Sequence, residues 1–167
     1  QYDKRDKQIE KSRKRIFVDM DSVLIDSKSG IDQQDEETLK VYEGRLDEIP
    51  GVFACMKPMP GAIEAMHELQ KHFDLYILSS ASWKSYSVPF DKMQWVKKYL
   101  DDVFHKRVIF TPCKNLCKGD YLIDERGENE AREFDGEWIR FGNSTFPDWH
   151  AVVNYLYETN GINKPNK

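Results

Sequence analysis

Along this chain, short unbroken apolar runs alternate with longer stretches in which apolar residues recur every three or four positions. Short β-branched and aromatic runs predict strands buried on both faces, and the three-to-four spacing predicts helices packed along one stripe. The first run, residues 15–21, predicts a strand that ends in carboxylates. Ala62, Ile63, Met66 and Leu69 predict a helix opened by Pro60-Gly61, where the missing proline N–H costs nothing. Residues 75–78 predict a second strand running into Ser79-Ser80, followed by a helix over 90–100. Residues 108–111 and 121–124 predict a third and a fourth strand, with 138–141 as a candidate fifth. Asp148 is placed to cap a last helix that buries Trp149, Val152, Val153 and Leu156. Residues 27–59 break the rhythm. They are rich in Asp, Gln, Glu and Lys, with helical spacing around Leu39, Val41, Tyr42 and Leu46, and read as an insertion.

Strands alternating with helices imply an α/β fold, a Rossmann-like parallel β-sheet flanked by helices. The expected organisation is a basic leader at 1–14, a core formed by 15–26 and 60–160, a small helical cap at 27–59 and a tail at 161–167. Ligands of open parallel sheets bind beyond the carboxyl ends of the strands. Three of the four clearest strands end in polar residues there: Asp19 with Asp21, Ser79 with Ser80, and Asp124 with Glu125.

Composition narrows the function. The 167 residues include 29 acids and 25 bases, a formal net charge of -4, which argues against a general binder of nucleic-acid polymers. No apolar run approaches the roughly 20 residues a membrane-spanning helix needs. The first fifteen residues run the other way, with seven bases against three acids; they read as a solvated segment, and no secretory signal is visible. Three cysteines (Cys55, Cys113, Cys117) make no disulfide framework, and Cys113-x3-Cys117 lacks the second pair that structural zinc requires. Reduced thiols and a cytoplasmic location are the expectation, with a monomer and a homodimer both open.

The strand ends suggest the chemistry. Like charges at Asp19 and Asp21 are unfavourable together unless a cation or proton intervenes, and they suit Mg²⁺, which takes one or two carboxylates, water and a substrate phosphate. A carboxylate beside a phosphate can also attack it. Ser79 and Ser80 offer hydroxyl and backbone donors to phosphate oxygens, or alternatively a local turn cap. Lys114 could neutralise transferring phosphoryl charge, with Lys118 as its neighbouring competitor. Asp124 and Glu125 add acid at the end of another strand.

In that order, these residues resemble the motifs of the haloacid dehalogenase (HAD) superfamily of phosphohydrolases, and within it the 5'(3')-deoxyribonucleotidase family. Ile16-Phe17-Val18-Asp19-Met20-Asp21 with Val23-Leu24 and Asp26 is similar to the first motif, and Ile77-Leu78-Ser79-Ser80 to the second. Residues 111–114 and Leu122-Ile123-Asp124-Glu125-Arg126 resemble the third and fourth. Phe53 and residues 57–62 are similar to the segment where the family's cap rejoins its core, and Asp91-Lys92 with Trp95-Val96 to the helix after the second motif.

The resemblance implies Asp19 as nucleophile, Asp21 as general acid and base, and Ser79 and Lys114 as phosphoryl-oxygen ligands. It implies Mg²⁺ held by Asp19, the Asp21 backbone carbonyl and Asp124, with Glu125 in contact or one layer behind. Ser22 departs from the family's usual Gly, Glu125 replaces a frequent Asp, and the insertion is shorter than the cap of mammalian members.

The implied substrate is a small phosphate monoester, a nucleoside or deoxynucleoside monophosphate, with Ser80, Phe53 and Trp83 as substrate-binding candidates. Tyr42, Tyr86 and Phe90 are further aromatics able to stack on a base. A sugar phosphate or similar ester, transfer to an acceptor other than water, and a non-catalytic phosphate- or metal-binding member of the fold are the alternatives.

Overall fold

Hydrophobic runs with β-branched and aromatic residues form the centre of the molecule. The structure, a computed structural model, describes residues 12–127 and 131–164. Most of the basic leader expected at 1–14 therefore lies outside the described residues, as does the end of the tail.

Among the described residues there are seven strands: β1 (Arg15–Val18), β2 (Ile25–Asp26), β3 (Lys57–Pro58), β4 (Asp74–Ser79), β5 (Val108–Phe110), β6 (Tyr121–Asp124) and β7 (Glu137–Arg140). Five of them form one parallel sheet in the order β5-β4-β1-β6-β7. Val18 sits level with Ile77 on one side and Ile123 on the other, so β1 is central and its neighbours end beside it. The helices are α1 (Ser27–Ile31), α2 (Glu36–Val41), α3 (Ala62–Leu69), α4 (Ser87–Tyr99), α5 (Asp101–Phe104) and α6 (Trp149–Thr159).

Alternation along β1 divides the core. Ile16 and Val18 belong to a large apolar cluster that also takes the buried stripes of α3, α4 and α6. Phe17 points the other way, into a smaller cluster with Leu78, Leu122, Ala131 and Phe134. Asp148 caps α6 as expected, its carboxylate accepting from the Ala151 N–H at 2.9 Å, and Trp149, Val152 and Leu156 are buried. The first turn of α3 follows Gly61, which has φ +77 and so occupies the left-handed region that glycine enters without strain.

Beyond Val18 the chain leaves the strand earlier than the sequence predicts. The Asp19 N–H still reaches the Ile123 carbonyl at 2.9 Å, but the N–H groups of Val23, Leu24 and Ile25 then converge on the Met20 carbonyl. That tight loop turns Asp21 and Ser22 over the end of the sheet, with Ser22 in the left-handed region at φ 60.

Residues 27–59 leave the core through β2 and return through β3. These two strands pair antiparallel, Ile25 opposite Pro58 and Asp26 opposite Lys57. Between them lie α1, α2 and two 3₁₀ turns, Leu46–Glu48 and Val52–Cys55. The helical spacing read through Leu46 ends at Tyr42, because Gly44 takes φ +78 and starts a separate turn.

Candidate active site

A cavity of about 440 Å³ opens at the carboxyl ends of β1, β4 and β6, under residues 27–56. Asp19 and Asp21 line it from the loop after β1, Ser80 from the end of β4, Asp124 from β6, and Lys114 from the 3₁₀ turn Lys114–Leu116. The insertion supplies Ser27, Leu46, Asp47 and Phe53 on the opposite wall.

Lys114 is the cation at the floor. It is 2% exposed. Its Nζ lies 2.7 Å from Asp124 Oδ2 and 3.2 Å from Asp19 Oδ1. Burial pulls its ammonium down, but the charges of Asp19 and Asp124 outweigh that and hold its pKa above the ordinary value. Asp124 is fixed from a second side, its Oδ1 accepting from the Arg126 N–H at 3.0 Å. The Asp19 carboxyl is pushed up to about 7, first by desolvation and then by the charges of Asp124 and Asp21, against the pull of Lys114 and Lys92. Asp47 is also raised, chiefly by burial.

Three carboxylates, Asp19, Asp21 and Asp124, thus face two ammoniums, Lys92 and Lys114. With all three carboxylates ionised, the cluster carries one surplus negative charge. A phosphate dianion entering it would meet net repulsion, and a hard divalent cation on the carboxylates would remove it. This donor set fits Mg²⁺, which needs only one or two carboxylates and completes its shell with water and phosphate. Among the described residues no three His, Cys, Asp or Glu side chains converge into a ready-made metal cage.

Residues 32–154 match the family described as 5' nucleotidase, deoxy (pyrimidine), cytosolic type C protein. A Vibrio phage KVP40 protein, provisionally named a 5'(3')-deoxyribonucleotidase, is 51% identical over 145 residues, spanning 87% of this chain and 85% of that one. The chain belongs to this deoxy 5'-nucleotidase family. The human cytosolic-type 5'(3')-deoxyribonucleotidase is 28% identical over 153 residues, 74% of this chain and 76% of the relative. A haloacid dehalogenase-like hydrolase of Xanthomonas campestris shares the fold at a TM-score of 0.59 and 13% identity, over 90% of this chain and 94% of that one.

Within this deoxy 5'-nucleotidase chain, the sequence-predicted residues separate into two groups. Asp19, Asp21, Asp124, Lys114, Ser80 and Phe53 meet at one cavity. Ser79, Glu125 and Trp83 do not line it. Ser79 is fully buried, and its hydroxyl lies 3.1 Å from the Lys92 ammonium, so Ser80 is the serine that faces the cavity. Glu125, the residue after β6, lines a neighbouring depression with Arg126 and Arg140 instead. Trp83 is 94% exposed on the loop after β4. That loop is held to the insertion by the Ser82 hydroxyl, which donates to Glu48 at 2.6 Å, and this leaves the indole outside the cavity. Tyr86 and Phe90 are likewise exposed and outside the cavity wall, while Trp95 is core, donating to the Met56 carbonyl at 3.1 Å.

Sequence reasoning assigned no role to Lys92, Asp47, Ser27 or Arg126. Lys92 had a readable signal: a lysine at a position where the helix stripe calls for an apolar side chain. Asp47 had none, being one acid among many in the insertion. Ser27 has a buried hydroxyl without a hydrogen-bond partner among the described residues, and the residue lines the cavity.

Proposed function

We propose that this chain is a Mg²⁺-dependent phosphomonoesterase that hydrolyses deoxynucleoside monophosphates through a phosphoaspartate on Asp19. The observation that carries the reading is the half-buried Asp19 just beyond the central strand, facing a cavity and braced by Lys114, in a member of this family. Asp19 attacks phosphorus as the ester P–O bond breaks, and the departing ester oxygen takes a proton from Asp21. Asp21 then accepts a proton from the water that cleaves the phosphoaspartate, releasing inorganic phosphate. Lys114 and the donors around Ser80 hold the phosphoryl oxygens. Asp19, Asp124 and the Asp21 backbone carbonyl would hold the ion. When bound, Mg²⁺ supplies positive charge that offsets the carboxylates and polarises the phosphoryl group.

The leaving group would occupy the wall formed by residues 27–56. Its apolar part, Leu46 and Phe53, suits a base or sugar, and Ser27 and Asp47 offer hydrogen-bonding groups to it. Reduced cysteines and the cytosolic type of the human relative support a cytoplasmic location.

Phosphate release from a panel of deoxynucleotides, ribonucleotides and sugar phosphates, with Mg²⁺ and with chelator, tests the reading. Turnover should prefer deoxynucleotides, need the metal and disappear in Asp19→Asn. Equal turnover of sugar phosphates would remove the nucleotidase assignment, and undiminished turnover in Asp19→Asn would remove the nucleophile.

A further inference from the structure

Lys92 stands in the buried stripe of α4, with Val88, Trp95 and Val96, at the spacing of a packed helix face. It is 2% exposed. An ammonium taken out of water is costly unless all three of its donors find acceptors. Here they do: Nζ donates to Asp21 Oδ2 at 2.8 Å, Ser79 Oγ at 3.1 Å and the Ser80 carbonyl at 2.7 Å. The Phe53 ring of the insertion lies 5.6 Å away.

Two features separate Lys92 from Lys114. Lys114 lines the cavity, whereas Lys92 does not. With its three donors committed, Lys92 also has none left for a phosphate oxygen. Its acceptors belong to two different strand ends, the loop after β1 and the end of β4, so it joins the acid–base side of the site to the phosphate-facing side. The Asp21 side chain is 43% exposed and projects from a tight loop, so without an anchor it could turn among several rotamers.

We propose that Lys92 is a positioning residue that pins one oxygen of Asp21 to the end of β4, leaving the other aimed at the leaving-group oxygen of the bound ester. The assignment rests on Asp21 being the general acid and base of the proposed reaction. In the step it serves, the bond from Asp19 to phosphorus forms, the ester P–O bond breaks, and the proton of Asp21 passes to the ester oxygen. An alkoxide needs that proton to leave. A nitrophenolate is stable without it.

The leaving group therefore supplies the test. With Mg²⁺ present, Lys92→Met is compared with the unmodified protein in single turnovers of p-nitrophenyl phosphate and thymidine 5'-monophosphate. Thymidine release should fall about 100-fold further than nitrophenolate release, the scale of a general-acid contribution. The ratio of the two rates within one preparation is independent of how much of it is folded, and Lys92→Gln carries the same comparison if the methionine variant does not fold. Asp21→Asn should shift the ratio by itself, and adding Lys92→Met to it should shift the ratio no further. Equal losses on both esters, or an unchanged ratio in an active Lys92 variant, would overturn this assignment alone. Failure of the unmodified protein to release either product would overturn the phosphatase reading and this assignment with it.

Discussion

Replacing Lys114 by Met removes the cation between Asp19 and Asp124 while keeping most of the side-chain volume. The ammonium is buried, 3.2 Å from one carboxylate and 2.7 Å from the other. Breaking such a buried pair by deleting one partner costs about 3–5 kcal/mol, because the remaining charges stay out of water. For a chain of 167 residues that corresponds to a fall in Tm of about 10 °C. The loss should depend on pH. The Asp19 carboxyl lies at about 7 in the folded protein against an ordinary 3.8, so between those values the folded state holds a proton that the unfolded state releases. Metal-free stability therefore falls as pH rises from 4 through 7, by at most ~1.4 kcal/mol per pH unit from this group. Without Lys114 the carboxyl moves further up, so the variant's deficit should be smaller at pH 5 than at pH 8. Urea unfolding of both proteins in chelator at the two pH values measures this directly. Equal stability at pH 8, or the same deficit at both pH values, would refute the electrostatic account and leave only packing.

Two further substitutions probe the loop and the insertion. Ser22 holds φ 60. Ser22→Gly should raise stability by up to about 1 kcal/mol in thermal unfolding, the left-handed strain relieved being partly offset by a more flexible unfolded chain. A clear loss of stability would mean the serine side chain holds that loop. A Cβ on Gly30 would lie 2.5 Å from Met56 Cγ and 2.9 Å from the Val52 carbonyl oxygen. Gly30→Ala should therefore push α1 off the Val52–Cys55 turn, costing about 1–3 kcal/mol and raising KM for a nucleotide more than it lowers kcat.

The sheet was legible because parallel strands buried on both faces read as continuous apolar runs, and their polar ends marked the cavity before any geometry was known. Even the weakest strand, around Trp138, appears as β7 at Glu137–Arg140. The two-residue strands β2 and β3 and the four-residue α5 were not legible, since so few residues establish no period. Trp83 was misplaced for a different reason: nearness to Ser80 in sequence says nothing about direction once the chain leaves the strand. Lys92 entered the sequence reading only within the Asp91-Lys92 helix segment, without a role of its own. Its acceptor Asp21 lies 71 positions away, a pairing that only the fold reveals.

The short antiparallel stem of β2 and β3 has a consequence for how such a protein could diversify. Everything between Asp26 and Lys57 departs and returns at adjacent points, while Asp19, Asp124 and the turn carrying Lys114 belong to a sheet and its loops that the segment never interrupts. On the proposed reading, a single contiguous stretch of the gene encodes most of the surface against the leaving group. That stretch can be lengthened, trimmed or rewritten by selection without re-laying the sheet, so preference for one ester over another can drift quickly while the chemistry beneath stays fixed.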